Sequence, residues 1–147
     1  MNNLNQLDAY ISHADKLNER VSKATVGWQI EHILLTYDVI IAELKHEKDR
    51  PYNPRMGFWK LVVLGTGWFP RGKVRAPKLI RPADYDQASL TIHLKHVKNV
   101  ASTLEALPAD AFFKHPIFGD LKRDTAIKFL QIHTHHHLKI IRDILKD

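Results

Sequence analysis

The stretch that decides the fold is Asp124-Thr125-Ala126-Ile127-Lys128-Phe129-Leu130-Gln131-Ile132-His133-Thr134-His135-His136-His137-Leu138-Lys139-Ile140-Ile141-Arg142-Asp143-Ile144. Its apolar residues Ala126, Ile127, Leu130, Ile140, Ile141, Ile144 and the following Leu145 recur at helical spacing. At roughly 100° per residue, Leu130, Thr134, His137, Ile141 and Ile144 share one face, with His133 at its edge. His135 points the opposite way, and His136 lies on the flank with Phe129 and Ile140. Two histidines one turn apart therefore interrupt an apolar face. A single inward histidine is ordinarily a hydrogen-bonded core residue. Two of them each need a partner, and neutral imidazoles at i and i+4 can present their nitrogens to one ion.

Working outward, three more amphipathic segments precede this one. Leu4, Leu7, Ile11, Ala14, Leu17 and Val21 step by threes and fours, which predicts a helix of about five turns. Ser22 to Thr25 reads as a connection, with Thr25 as N-cap of a second helix from Val26 to Lys48. The stripe of that helix is Val26, Ile30, Ile33, Tyr37, Ile40 and Leu44. Beside it runs a polar seam of Gln29, His32 and Thr36, continued by Glu43, which either lines an internal site or marks the solvent boundary. The third helix is expected from Pro82 to Leu107, introduced by Pro82-Ala83-Asp84 and ended by Pro108. Its inward stripe includes His93 between Leu90 and Leu94. His96 and Asp86 lie near enough on the wheel to support a site from a distance.

Residues 51–82 break the pattern with Pro51, Pro54, Gly57, Gly65, Gly67, Pro70, Gly72, Pro77 and Pro82. Within them, Phe58 to Leu64 is expected to make one or two helical turns. So long a loop is either an aromatic cover over the bundle's open end or a basic lid over an anionic ligand. Residues 109–123 read as a connection whose aromatic pairs pack back on the bundle, with Asp124 as N-cap of the last helix. The expected fold is all-α: a single-domain four-helix bundle spanning residues 1–147, with a loop-rich insertion between helices two and three.

The composition is that of one ordinary globular domain of 147 residues, 44 % hydrophobic and 26 % charged. With no cysteine, disulfides, thiolate metal sites and cysteine nucleophiles are excluded. No signal-peptide pattern and no bilayer-spanning apolar run is present, so the expectation is a cytoplasmic protein without a membrane partner. The net charge of +6 is unevenly placed: residues 45–81 hold ten Lys and Arg against Glu47 and Asp49. An anionic partner should meet the chain there, and Arg71, Lys73 and Arg75 are the candidate anion-binding residues. Basic residues interleaved with aromatics also occur in single-strand nucleic-acid binders, but no recognition motif supports a nucleic-acid partner.

With Gly27-Trp28-Gln29-Ile30-Glu31-His32 on helix two and His133-Thr134-His135-His136-His137-Leu138 on helix four, the chain resembles the DinB-like superfamily over nearly its full length. His115-Pro116-Ile117-Phe118-Gly119-Asp120-Leu121 is similar to the loop of an uncharacterised bacterial branch. The resemblance implies a four-helix bundle with a divalent metal held by three histidines, here His32, His133 and His137. It also implies activity as a thiol S-transferase, or an isomerase, working with a low-molecular-weight thiol. The long insertion and the extra His135-His136 depart from the family pattern.

Three neutral imidazoles would leave an ion its full charge and at least one open position, the pattern of a catalytic site. A thiol or water bound there would be activated as a nucleophile. Zn, Ni and Fe all suit histidine, so the donor set does not choose among them. Gln29, Thr36, His93 and His136 are the candidates to orient ligands or line the pocket, and Glu31 lies on the outer side of its helix. No Glu-x-x-His pair or His-Glu-x-x-His motif points to a di-iron or zincin centre.

The sequence thus supports three readings. The first is a metal-dependent transferase or hydrolase acting on a small molecule. The second is a non-catalytic metal- or ligand-binding bundle. The third is an anion or nucleic-acid binder working through the basic insertion. A homodimer is compatible with all three. Under the catalytic reading, residues 55–81 should lie by the mouth of the site, with Trp59 or Trp68 in its wall and a Lys or Arg facing the opening. His135 should be exposed.

Overall fold

The computed structural model describes residues 2–70 and 76–146, and the described chain is mostly helical with one small hairpin. Its elements are α1 (Asn2–Asn5), a 3-10 helix (Gln6–His13), α2 (Val26–Lys45), α3 (Phe58–Thr66), α4 (Gln87–Ala101), the hairpin β1 (Phe112–His115) and β2 (Gly119–Lys122), and α5 (Arg123–Ile144). Short 3-10 turns at Lys78–Ile80 and Leu104–Ala106 complete it.

The central element is α2, which packs against both α4 and α5 and carries the N-terminal segment on its flank. Two neighbours need two apolar faces. Ile30, Ile33 and Leu34 of α2, Leu90 and Val97 of α4, and Leu138 and Ile141 of α5 are all fully buried in one core. A side chain this size gains about 1.5–3 kcal/mol on leaving water, so these helices are held by packing more than by propensity.

The N-terminal segment departs from the five-turn helix that its periodicity predicts. Leu4, Leu7, Ile11 and Ala14 are buried as expected, but helical geometry ends at His13 and Leu17 is exposed. The reason lies at the start of α2, whose first amides have no partner within their own helix. The carbonyls of Lys16 and Ala14 accept from the N–H groups of Val26 and Gly27, both at 2.9 Å. A helix running on through residues 14–21 would keep those carbonyls for itself. Thr25 caps the same end as expected, its Oγ1 accepting from the Trp28 amide and meeting the Tyr85 hydroxyl at 2.7 Å. Gly27 is required at this crossing. A Cβ there would stand 2.5 Å from the Tyr85 ring and 2.9 Å from the Ala14 carbonyl oxygen.

The third helix begins later than expected. Asp86 caps it through a reciprocal pair with Ser89, leaving Pro82 to Tyr85 outside. It ends at Ala101, and the apolar stripe continues past it only because Leu104 is buried by the next 3-10 turn.

Residues 109–123 are also more than a connection. Phe112 to Lys122 folds back as an antiparallel hairpin with Phe113 opposite Leu121. Its turn is built by His115, whose Nδ1 accepts from the Ile117 and Phe118 amides at 3.1 Å each, and by Gly119 at a positive φ of 70°. The Arg50 guanidinium grips the buried Asp120 carboxylate with two bonds of 2.6 and 2.8 Å, and the Asn53 amide adds a third at 2.8 Å. These contacts, with the Pro54–Gly119 bridge, tie the start of the insertion to the hairpin. Because β2 runs straight into α5, the N-cap is Lys122 rather than Asp124 and makes no side-chain cap bond. No described helix is long and apolar enough to cross a membrane.

His93 is not a core imidazole awaiting a metal. It ties α4 to α2, with Nδ1 3.0 Å from both Glu31 carboxylate oxygens and Nε2 2.7 Å from Asp38. Asp38 first and Glu31 second hold its pKa up, at about 9. A folded pKa above the unfolded value of about 6.5 means that this stabilisation is complete below that value and is lost as pH rises through the folded pKa. The urea midpoint of the wild type should therefore exceed that of His93→Gln near pH 6. The gap should close towards pH 10, and a gap independent of pH would contradict the assignment.

Candidate metal centre

His32 projects from the middle of α2, and His133 and His137 project from α5 one turn apart. Their exposures are 4, 8 and 9 %, so all three are buried. One ring nitrogen from each lies within 4.8 Å of the other two. Ring centroids are 4.5 Å apart for His133 and His137, 4.7 Å for His32 and His137, and 5.1 Å for His32 and His133. Aromatic rings one turn upstream support two of them: Trp28 stacks on His32 at 5.0 Å and Phe129 on His133 at 5.6 Å.

Hydrogen bonds decide which nitrogens remain available. The Nδ1–H of His32 donates to the Ile80 carbonyl at 2.7 Å. The Nδ1–H of His137 donates to Gln29 Oε1 at 2.6 Å. Each bond fixes a tautomer that leaves the Nε2 lone pair for a ligand. Gln29 is held in turn, its Nε2 donating at 3.2 Å to the Ser22 hydroxyl, which also accepts from the Ala24 amide. His133 has a buried Nδ1 with no hydrogen-bond partner among the described residues. An orphaned buried nitrogen costs about 1–3 kcal/mol, and an ion shared by the three rings is one way to offset it.

Burial lowers the pKa of His32, against the bond to Ile80. Burial also drives His133 and His137 well below the usual histidine range, helped by the neighbouring imidazoles. All three are therefore neutral at pH 7, the form in which histidine binds a metal. The donor set is three imidazoles, which fits a borderline divalent ion such as Zn, Ni or Fe. The residues and their tautomers fit such an ion.

Of the other candidates, Gln29 orients His137 directly. Thr36 is buried, but its hydroxyl donates to the His32 carbonyl at 2.7 Å within α2, so it serves the backbone and not the rings. His93 belongs to the ion pair with Asp38 and Glu31, and Asp86 to the cap of α4. Exposed Glu43 pairs with Lys48, so only the first three residues of the seam are internal. His135 is exposed as expected. His136 is half-buried and faces outward: with Thr66, Gly67, Trp68, Phe69, His135 and Lys139 it lines a cavity of about 500 Å³.

The insertion does reach the site. Ile80 supplies the carbonyl to His32, and the Phe69 ring lies 6.2 Å from His133 and 5.3 Å from His136. Trp68 lines the adjacent cavity, whereas Trp59 packs edge-on to Phe58 outside it. Lys139 of α5 supplies a cation to the lining, and Arg71, Lys73 and Arg75 lie outside the described residues.

No motif or period marks Ser22, Phe69 or the Ile80 carbonyl as parts of this site. A backbone oxygen leaves no mark in residue type, Phe69 is distant in the chain from all three histidines, and Ser22 lies in a connection seven residues before Gln29. Trp28 and Phe129 were open to detection, since each precedes its histidine by one helical turn. His115 is a further, half-buried ring, stacked on Phe118 at 4.3 Å and edge-on to Phe129 at 4.8 Å. Burial and the charge of Lys60 lower its pKa to about 4, in keeping with its acceptor role in the hairpin turn.

The site defines a class: a helical protein with a buried three-histidine cluster able to hold a metal ion. Compared with known proteins, the chain matches no family model, no curated protein and no solved structure.

Proposed function

We propose that His32, His133 and His137 bind one divalent transition-metal ion, and that the chain is a metal-dependent enzyme of the DinB-like four-helix type acting on a small molecule. The observation that carries this reading is the pair of Nδ1–H bonds, to Ile80 and Gln29, which aim two neutral imidazoles of the buried cluster. A core histidine needs only to satisfy its own polar atoms, and this arrangement leaves ligand nitrogens over. Bound there, the ion would supply Lewis-acid activation of a thiol or water at near-neutral pH. The chain's own residues hold the rings in register, through the Ser22–Gln29–His137 relay, and exclude water with Trp28, Phe129 and Phe69. A low-molecular-weight thiol as co-substrate rests on the family resemblance. The Lys139 side of the adjacent cavity would suit its anionic groups.

A second reading, in which the metal only stiffens the fold, draws support from the depth of the cluster and the insertion over it. A turnover assay separates the two. Zinc- or nickel-loaded protein is mixed with a small thiol and an alkylating electrophile, and loss of free thiol is followed. The catalytic reading expects consumption well above that of His133→Ala. Equal rates in both proteins would leave the stiffening role.

A further inference from the structure

The helix α3 does not follow the usual pattern of a surface helix. Of its nine residues, Phe58-Trp59-Lys60-Leu61-Val62-Val63-Leu64-Gly65-Thr66, only Lys60 and Thr66 are polar. Val63 is buried and Leu64 partly packed against the core, so the helix is moored along one edge. The other edge turns its apolar side chains to solvent: Phe58 is 73 % exposed and Leu61, one turn on, is 60 % exposed. Met56 just before α3 is 80 % exposed, Leu79 further along the insertion 78 %, and Trp59 and Trp68 are about half exposed. A helix apolar on all sides belongs in a core or in lipid, and grouped exposed apolar side chains mark an interaction surface.

The charge around it identifies the occupant. Between residues 50 and 83 the sequence has eight Lys and Arg (Arg50, Arg55, Lys60, Arg71, Lys73, Arg75, Lys78 and Arg81) and no Asp or Glu. Arg50 is engaged by Asp120, whereas Arg55, Lys60, Lys78 and Arg81 form no salt bridge among the described residues. A second copy pairing through the same face would set these cations against their own counterparts. Nucleic acid would use the cations and stack on the tryptophans, but it rewards bases on aromatic faces and leaves Met56, Leu61 and Leu79 without a role. An anionic lipid surface uses all of them: aliphatic and phenyl groups enter the acyl boundary, tryptophans sit at headgroup level, and Lys and Arg meet the phosphates. Nine residues at roughly 1.5 Å each make α3 about 13 Å long, too short to span a bilayer and suited to lying in its plane.

We infer that α3 and its flanks form a docking surface for an anionic lipid membrane, with Phe58, Leu61 and Met56 inserting and Lys60 and Lys78 contacting headgroups. This inference is independent of the metal reading.

The test is flotation of the untagged full chain with vesicles of phosphatidylcholine alone and of an equal mixture of phosphatidylcholine and phosphatidylglycerol. The wild type should float with the mixed vesicles only, less so as salt rises. Emission from Trp59 and Trp68 should shift to the blue and be quenched by brominated lipid, a readout that needs no variant. Phe58→Ser with Leu61→Ser, both outward-facing, should weaken binding by roughly a hundredfold. Lys60→Glu with Lys78→Glu should weaken it by about tenfold or more. Absence of flotation with mixed vesicles would overturn the inference, as would binding that ignores the serine pair. Binding to a poly-dT oligonucleotide without vesicle binding would reassign the surface to nucleic acid. A concentration-dependent dimer abolished by the serine pair, again without vesicle binding, would reassign it to self-association.

Discussion

Replacing Phe129 by alanine should cost about 3–5 kcal/mol of folding stability, the largest effect of any truncation near the cluster. Phe129 is almost fully buried and is the ring on which several pieces converge. It stacks on His133, meets the edges of His115 and Phe118, and contacts Phe69 of the insertion. Truncation removes the apolar area and leaves a cavity between the hairpin, α5 and the insertion, none of which can follow the ring inward without breaking other contacts. A urea titration of the wild type and Phe129→Ala reads this directly. A loss under ~1 kcal/mol, the size of an ordinary substitution, would mean that the ring does not tie these elements together.

Gln29→Ala should weaken zinc affinity by about 10–100-fold, the usual cost of removing a hydrogen bond behind a ligating histidine. The amide of Gln29 is the only described group bonded to His137 Nδ1, and it is itself held by Ser22. Without it, His137 loses the bond that sets its tautomer and ring orientation, and its buried N–H is left unsatisfied. His137→Ala removes the nitrogen itself and should lower affinity further. Competition with a chromophoric chelator measures all three proteins, and circular dichroism reports whether each is folded. Wild-type affinity in Gln29→Ala would separate Gln29 from the site.

The parts of this architecture that sequence disclosed are those governed by helical period. His133 and His137 were readable as inward because Leu130, Ile141 and Ile144 set the phase of α5, and the seam of Gln29, His32 and Thr36 was readable on α2 for the same reason. Period says which way a side chain points and not what it meets. Thr36 points inward like His32, yet its hydroxyl turns back to its own helix. His93 shares an apolar stripe, yet the Glu31 and Asp38 carboxylates of α2 reach it. The N-terminal run kept its period while losing its helix, because α2 needed the Lys16 and Ala14 carbonyls. The hairpin was hidden because Phe112-Phe113 and Phe118 give no alternation, and the guanidinium that anchors its Asp120 belongs to Arg50, some seventy residues upstream. A search for bilayer-spanning runs likewise could not register α3, which is nine residues long and mostly apolar, and only packing shows that Phe58 and Leu61 stay exposed.

The central claim is that His32, His133 and His137 hold a metal together, and the metal content of untagged protein tests it most directly. Wild type, His133→Ala and His135→Ala would be loaded with zinc, freed of excess ion and analysed for metal per chain. Wild type and the exposed-residue control His135→Ala should each retain about one equivalent, and His133→Ala should retain almost none. Wild-type protein that keeps no metal, or a His135→Ala loss as large as that of His133→Ala, would contradict the assignment.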